Sequence, residues 1–133
     1  MKRQRSGSIL VITSSTILEP VDMLLLSNVM RSGVANLVKS LAGDVAGEGI
    51  RVNNIVPGRI DTPRVQSLDS HVAAEQGLTP DEVRTRFESD VPLGRYGTTE
   101  EFGRVGAFLL SPAASYVTGE IAVVDGGLRR GVW

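Results

Sequence analysis

Apolar residues along this chain fall into three short continuous runs, set between segments of helical spacing. The first run, SILVIT at Ser8–Thr13, is mostly β-branched and suits a strand covered on both faces, as in a parallel sheet. A polar SST turn follows it. From Asp22 to Ala46 the pattern changes period. Leu26, Met30, Val34, Leu37, Leu41 and Val45 recur at steps of three and four, which predicts one apolar face of an α-helix. Gly47–Gly49 is a helix stop, and IRVNNIVPG at Ile50–Gly58 reads as a second strand ended by Pro-Gly. A third strand is expected within GEIAVVDGG at Gly119–Gly127.

Between the second and third strands the periodicity weakens. TPRVQSLDSHVAAEQG and TPDEVRTRFESD predict two short helices. The second opens on Thr79, Pro80, Asp81 and Glu82: a cap residue, a proline at the first helical position and two acids in the first turn. So long an excursion after a strand suggests a lid or binding loop over about 63–95. TTEEFGRVGAFLLSP, Thr98–Pro112, predicts a capped amphipathic helix. Strands alternating with helices in this order predict an α/β fold with a parallel sheet and right-handed crossovers, in a single domain over residues 1–133. As first strand, the Ser8–Thr13 run would carry an unpaired apolar edge, which predicts a homo-oligomer or aggregation.

Composition narrows the function classes. Hydrophobic residues make up 41% of 133, enough for a packed core. Lys+Arg is 14 against Asp+Glu 15, a net charge of −1, which gives no footprint for nucleic acid or an anionic membrane. KRQR at Lys2–Arg5 reads as a solvated helix end. With no cysteine, disulfides and thiolate chemistry are excluded, and the single histidine, His71, leaves no second nitrogen ligand for a metal. There is neither a membrane-length apolar run nor a signal-peptide pattern, so a cytoplasmic protein is expected.

Three stretches together resemble the C-terminal half of the short-chain dehydrogenase/reductases, of the kind that reduce 3-oxoacyl groups on acyl-carrier protein. GSILVITSS is similar to the family's serine-bearing strand. GVANLVKSLAGDVAGEGIRVNNIVPGRIDTP is similar to its central helix, next strand and Pro-Gly turn. PLGRYGTTEEFGRVGAFLLSPAASYVTGEIAVVDGG is similar to its closing helix and last strand. The match covers nearly the whole chain, in order. The glycine-rich dinucleotide fingerprint that members carry near their N-terminus is absent, and Met1 matches an interior position of the family pattern. The resemblance implies a partial doubly wound, Rossmann-type sheet of about three parallel strands.

It also implies roles for particular residues. Members move a hydride between NAD or NADP and a carbonyl or alcohol. A tyrosine transfers the proton, a lysine four residues later lowers its pKa and binds the ribose, and a strand-end serine holds the substrate oxygen. Ser14 stands at the serine's place; it also suits an ordinary strand-end turn. Ser27 stands where the tyrosine would, shorter by a ring and far less acidic. Arg31 stands where the lysine would, keeping the charge but not the compact ammonium, and an acid such as Asp22 or Glu48 could equally pair with it. Pro57, Gly58, Ile60 and Thr62 match the turn that faces the nicotinamide, with the backbone at Ile60 holding the carboxamide and Thr62 contacting the carboxamide or a phosphate. Tyr96, Tyr116 and His71 are the other groups that could carry a proton.

The expected function is NAD(P)-dependent reduction of a small-molecule carbonyl or acyl thioester, in a truncated member expected to lack the activity as it stands. The alternative is a non-catalytic partner that docks on a full-length relative.

Overall fold

The computed structural model describes residues 1–22 and 24–131; Met23, inside the expected helix, and Val132 and Trp133, at the end of the expected domain, lie outside the described residues. Strand β1 (Gly7–Ile12), helix α1 (Leu25–Ala46), strand β2 (Ile50–Pro57), helices α2 (Pro63–Gln76), α3 (Pro80–Asp90) and α4 (Thr99–Leu110), and strand β3 (Ile121–Val124) follow one another. The three strands form one parallel sheet in the order β1-β2-β3. Ile9 lies beside Val52, and Ile55 beside Ala122. The α/β reading and the parallel sheet therefore hold. Among the described residues β1 pairs with β2 alone, leaving its outer edge open, with Ile12 exposed.

β2 is the buried centre, with Val52, Ile55 and Val56 fully covered. Each such burial contributes about 1.5–3 kcal/mol against an exposed side chain. Alternation along the strand divides the two faces. Ile50 and Val52 join Val38, Ala42 and Val45 of α1, with Ile9 and Val11 packed alongside. On the other face Ser8 Oγ donates to the Leu109 carbonyl of α4 at 3.3 Å. The Arg51 guanidinium donates there to the carbonyls of Leu109, Leu110 and Ser111, capping the negative end of α4. Asn53, 1% exposed, ties the loop before β3 to the sheet: its Nδ2 donates to Val117 O and its Oδ1 accepts from the Glu120 N–H.

The apolar stripe read from the sequence on α1 is not its core face. Leu26, Met30 and Leu37 are 75%, 61% and 61% exposed, while Ala35, Val38, Ala42 and Val45 are buried. Small residues let the helix axis approach the sheet closely, and the larger ones are turned outward. Val45 belongs to both sets, and Leu41 of the stripe is half-buried against the same core. The helix begins at Leu25 rather than Asp22, because no side chain caps its start and Asn28 instead folds back to bond both backbone groups of Val21. Lys2–Gln4 forms a short 3₁₀ turn rather than a helix end, and it is tethered: Arg5 donates to Gly47 O at 2.7 Å, and Lys2 and Arg5 both face Glu48. The third strand is shorter than the expected Gly119–Gly127 stretch and coincides with its apolar run, Ile121–Val124.

Candidate functional site

Every element that matters for the site meets at the carboxyl edge of the sheet. That is where open α/β sheets place ligands, because the strands stop there and their connecting turns are free to vary. β1 ends at Ile12, and Ser14 follows at once as the cap of a 3₁₀ turn, its Oγ accepting from the Thr16 N–H at 3.3 Å. α1 runs back against the strands, so its first turns lie at this same edge and its last turns beside the start of β2. Ser27 and Arg31 continue the sheet-facing spacing of Ala35, Val38, Ala42 and Val45 toward the helix start.

Ser27 and Arg31 touch. Arg31 Nε donates to Ser27 Oγ at 3.1 Å, one turn apart on the helix. Neither Asp22 nor Glu48 pairs with Arg31; among the described residues it forms no ion pair. The bond to Ser27 occupies one side of the guanidinium and leaves the fork at its end open. It also fills an acceptor position of the serine, whose own proton is then directed elsewhere. No hydrogen bond joins Ser14 to either residue among those described.

The turn after β2 is built to bring backbone close. Pro57 closes the ladder with β3, and the Gly58 N–H donates to Val124 O at 2.8 Å. A Cβ on Gly58 would lie 2.5 Å from the Asp125 Cα, so only glycine fits. Ile60 then forms a parallel bridge with Gly97: the Asp61 N–H donates to Gly97 O at 2.8 Å, and the Gly97 N–H to Arg59 O at 2.9 Å. In such a bridge the central residue turns its own N–H and C=O to the opposite side. Neither group of Ile60 has a partner among the described residues, although its side chain is 7% exposed. Thr62 spends its hydroxyl as the cap of α2, accepting from the Val65 N–H at 3.3 Å. The loose backbone donor and acceptor at Ile60 match one amide group, and a nicotinamide carboxamide fits that pair.

The remaining candidates take other parts. Tyr96 is buried, and its hydroxyl donates to Asp69 Oδ2 at 2.9 Å; burial first, and that bond second, push the phenol up to about 12. Tyr116 is fully exposed. His71 lies on the outer side of α2, facing Glu75 at 3.4 Å. What the sequence did not single out is Asp69, 4% exposed in α2, which also accepts from Arg59 Nη1 at 2.8 Å. Its polar setting, LDS, looks like any solvated helix face. Among the described residues no group of three or more His, Asp or Glu side chains is arranged to hold a metal ion, and no helix is long and apolar enough to cross a membrane.

A three-stranded parallel sheet with its connecting turns and an open backbone group at one edge has the architecture of one half of a doubly wound α/β fold. Comparison with known proteins carries this further. A family model described as Enoyl-(Acyl carrier protein) reductase matches residues 1–129. The 3-oxoacyl-(acyl-carrier-protein) reductase of Thermotoga maritima is 36% identical over 128 residues, 96% of this chain and 48% of that protein. An uncharacterised oxidoreductase of Bacillus subtilis, YxbG, is 41% identical over 106 residues, 80% of this chain and 38% of that one. Among solved structures, YwfH, an NADPH-dependent reductase of bacilysin biosynthesis, superposes with a TM-score of 0.92 at 28% identity. That match covers 98% of this chain and 50% of YwfH. L-sorbose reductase from Gluconobacter frateurii, complexed with NADPH and L-sorbose, gives 0.91 at 27% identity, over 99% of this chain and 51% of that one. The chain belongs to the short-chain dehydrogenase/reductase family. It spans about half the length, or less, of these relatives.

Proposed function

We propose that this chain forms the nicotinamide- and substrate-facing side of an NAD(P)-dependent carbonyl reductase, with an acyl thioester or similar small carbonyl as substrate. The observation that carries the reading is the unpartnered amide of Ile60, held at the carboxyl edge of the sheet. Pro57 and Gly58 bring that backbone close, and Thr62 fixes the helix that follows. When bound, the nicotinamide supplies the hydride.

The chain's own residues handle the oxygen. Ser14 presents a hydroxyl beside the substrate position. Ser27, accepting from Arg31, keeps its proton for the carbonyl oxygen, and the open guanidinium fork of Arg31 offsets the negative charge that develops there. A serine is a poorer acid than a phenol of pKa near 10, so stabilisation of the oxyanion outweighs proton donation at this site. The excursion over 63–95 is read as the lid, which excludes water when closed. We infer also that the outward stripe of α1 packs on a second copy of the chain. The cytoplasm is the proposed setting, and the lack of cysteine fits it.

The test is reduction of a 3-oxoacyl thioester by this chain joined to the amino-terminal half of a relative, followed by loss of NADPH or NADH absorbance, with substitutions at the pair. Ser27→Ala and Arg31→Met are each expected to lower turnover by about 10²-fold or more. Restoring the family's usual pair, Ser27→Tyr with Arg31→Lys, is expected to raise it. Turnover indifferent to all of these changes would remove Ser27 and Arg31 from the site.

A further inference from the structure

The turn that presents Ile60 is held from both flanks by side chains of the lid. On one flank is Arg59. Its guanidinium lies 3.4 Å from the centre of the Phe87 ring of α3 and donates to Asp69 of α2. Asp69 is saturated: one oxygen takes Arg59 and the other takes the Tyr96 hydroxyl. Tyr96 directly precedes Gly97, the bridge partner of Ile60. The buried carboxylate thus joins the residues beside both strands of that bridge. On the other flank Asp61 accepts from Arg84 of α3 at 3.0 Å and from Gln66 of α2 at 2.9 Å. Those bonds, Gln66 first and then Arg84, hold the Asp61 carboxyl below its ordinary range. Arg84 also lies over the Tyr96 ring, at 4.6 Å.

The two arms differ in weight. Arg84 and Asp61 are each about a third exposed, and such pairs contribute little. The Asp69 side chain is 6% exposed, and removing it leaves Arg59 and the Tyr96 hydroxyl without their buried acceptor, which is the expensive kind of loss.

We propose that Asp69 is the positioning residue of this site: acting through Arg59 and Tyr96, it locks the Ile60–Gly97 bridge and so couples the lid helices to the backbone that holds the nicotinamide. The coupling to the nicotinamide rests on the function proposed above; the lock on the bridge does not. The lid and the cofactor turn then move as one unit. Displacement of α2 loosens the Ile60 anchor, and a bound nicotinamide in turn steadies the lid.

Hydrogen exchange at the Asp61 and Gly97 amides tests the lock directly, because these two N–H groups close the bridge. In the full chain, Asp69→Ala is expected to speed exchange at both by about tenfold or more, the size of a charge-assisted hydrogen bond, while amides in β2 keep their protection. Tyr96→Phe removes a single hydroxyl and is expected to show the same effect in smaller measure; it carries the test if Asp69→Ala fails to fold. A residue that served stability alone would lower the unfolding midpoint and leave these two amides no faster than the rest, and that result overturns the proposal. Binding of reduced nicotinamide mononucleotide, followed by its fluorescence, tests the coupling. Affinity should fall by about tenfold in parallel with the faster exchange. Faster exchange with unaltered affinity overturns the coupling. If the unsubstituted chain does not bind this probe, the function proposed for the site fails, and the exchange rates alone decide the lock.

Discussion

Gly58 and Ile60 stand two positions apart in one loop yet were legible in different ways. Pro-Gly after an apolar run announces a strand end from the sequence alone. That Gly58 is there because Asp125 leaves no room for a Cβ is a fact about two segments 67 positions apart. Gly58→Ala is accordingly expected to destabilise the chain by about 1–3 kcal/mol through overpacking, read as a lower midpoint in urea at unchanged slope. An unchanged midpoint would mean that the turn shifts freely, and a rigid Ile60 anchor would then be untenable. Ser27 and Arg31 were singled out through the family resemblance alone. Their mutual bond, and that no carboxylate among the described residues pairs with Arg31, came only with the tertiary structure. Asp69 left no trace in the sequence, because an acid in a polar helix looks the same whether it faces water or a buried arginine.

Among the elements, α4 is the one whose ends were most clearly written. Thr98 accepts from the Glu101 N–H at 3.1 Å while the Glu101 carboxylate accepts from the Thr98 N–H at 2.8 Å, the reciprocal box that the TTEE spelling implies. Glu101 is also bidentate with Arg95. That pairing first, and the Thr98 N–H second, bring its carboxyl from the ordinary 4.5 down to about 2. A depressed acid contributes stability that is complete above 4.5 and fades as pH falls through about 2. Glu101→Gln keeps the acceptor but not the charge. The gap in thermal midpoint between parent and variant is therefore expected to be widest near neutral pH and to close on acidification below 4.5. A gap that stays constant with pH would assign the effect to packing. α1 was the opposite case. Its period was right, but helical spacing fits any stripe of apolar residues, and the helix has two, so the pattern could not tell which one meets the sheet.

At the scale of the whole molecule those two stripes carry different duties. Ala35, Val38, Ala42 and Val45 bind the helix to its own sheet, whereas Leu26, Met30 and Leu37, with Val29 and Leu25 beside them, remain exposed on one side. An exposed apolar face of that length is a docking surface or an aggregation liability. The open edge of β1 adds to it. Sedimentation of the purified chain is therefore expected to show a dimer or larger species, and Leu26→Glu with Leu37→Glu to shift it toward the monomer while leaving the sheet intact. A monomeric parent chain would refute the second-copy packing.

What the sequence determined by itself was the alternation: three strands, the helices between them, the caps of α3 and α4, and a polar excursion before the last helix. Each of these depends on neighbours a few residues apart, through backbone sterics, capping bonds and periodic burial. Tertiary structure alone decided which stripe of α1 meets the sheet, why Gly58 must be glycine, and where the amide of Ile60 is left open. It also decided that Asp69 of α2 joins Arg59 to Tyr96. Those outcomes rest on contacts between segments distant in the chain, where close packing and the need to pair every buried charge act on residues whose sequence neighbourhood carries no sign of either.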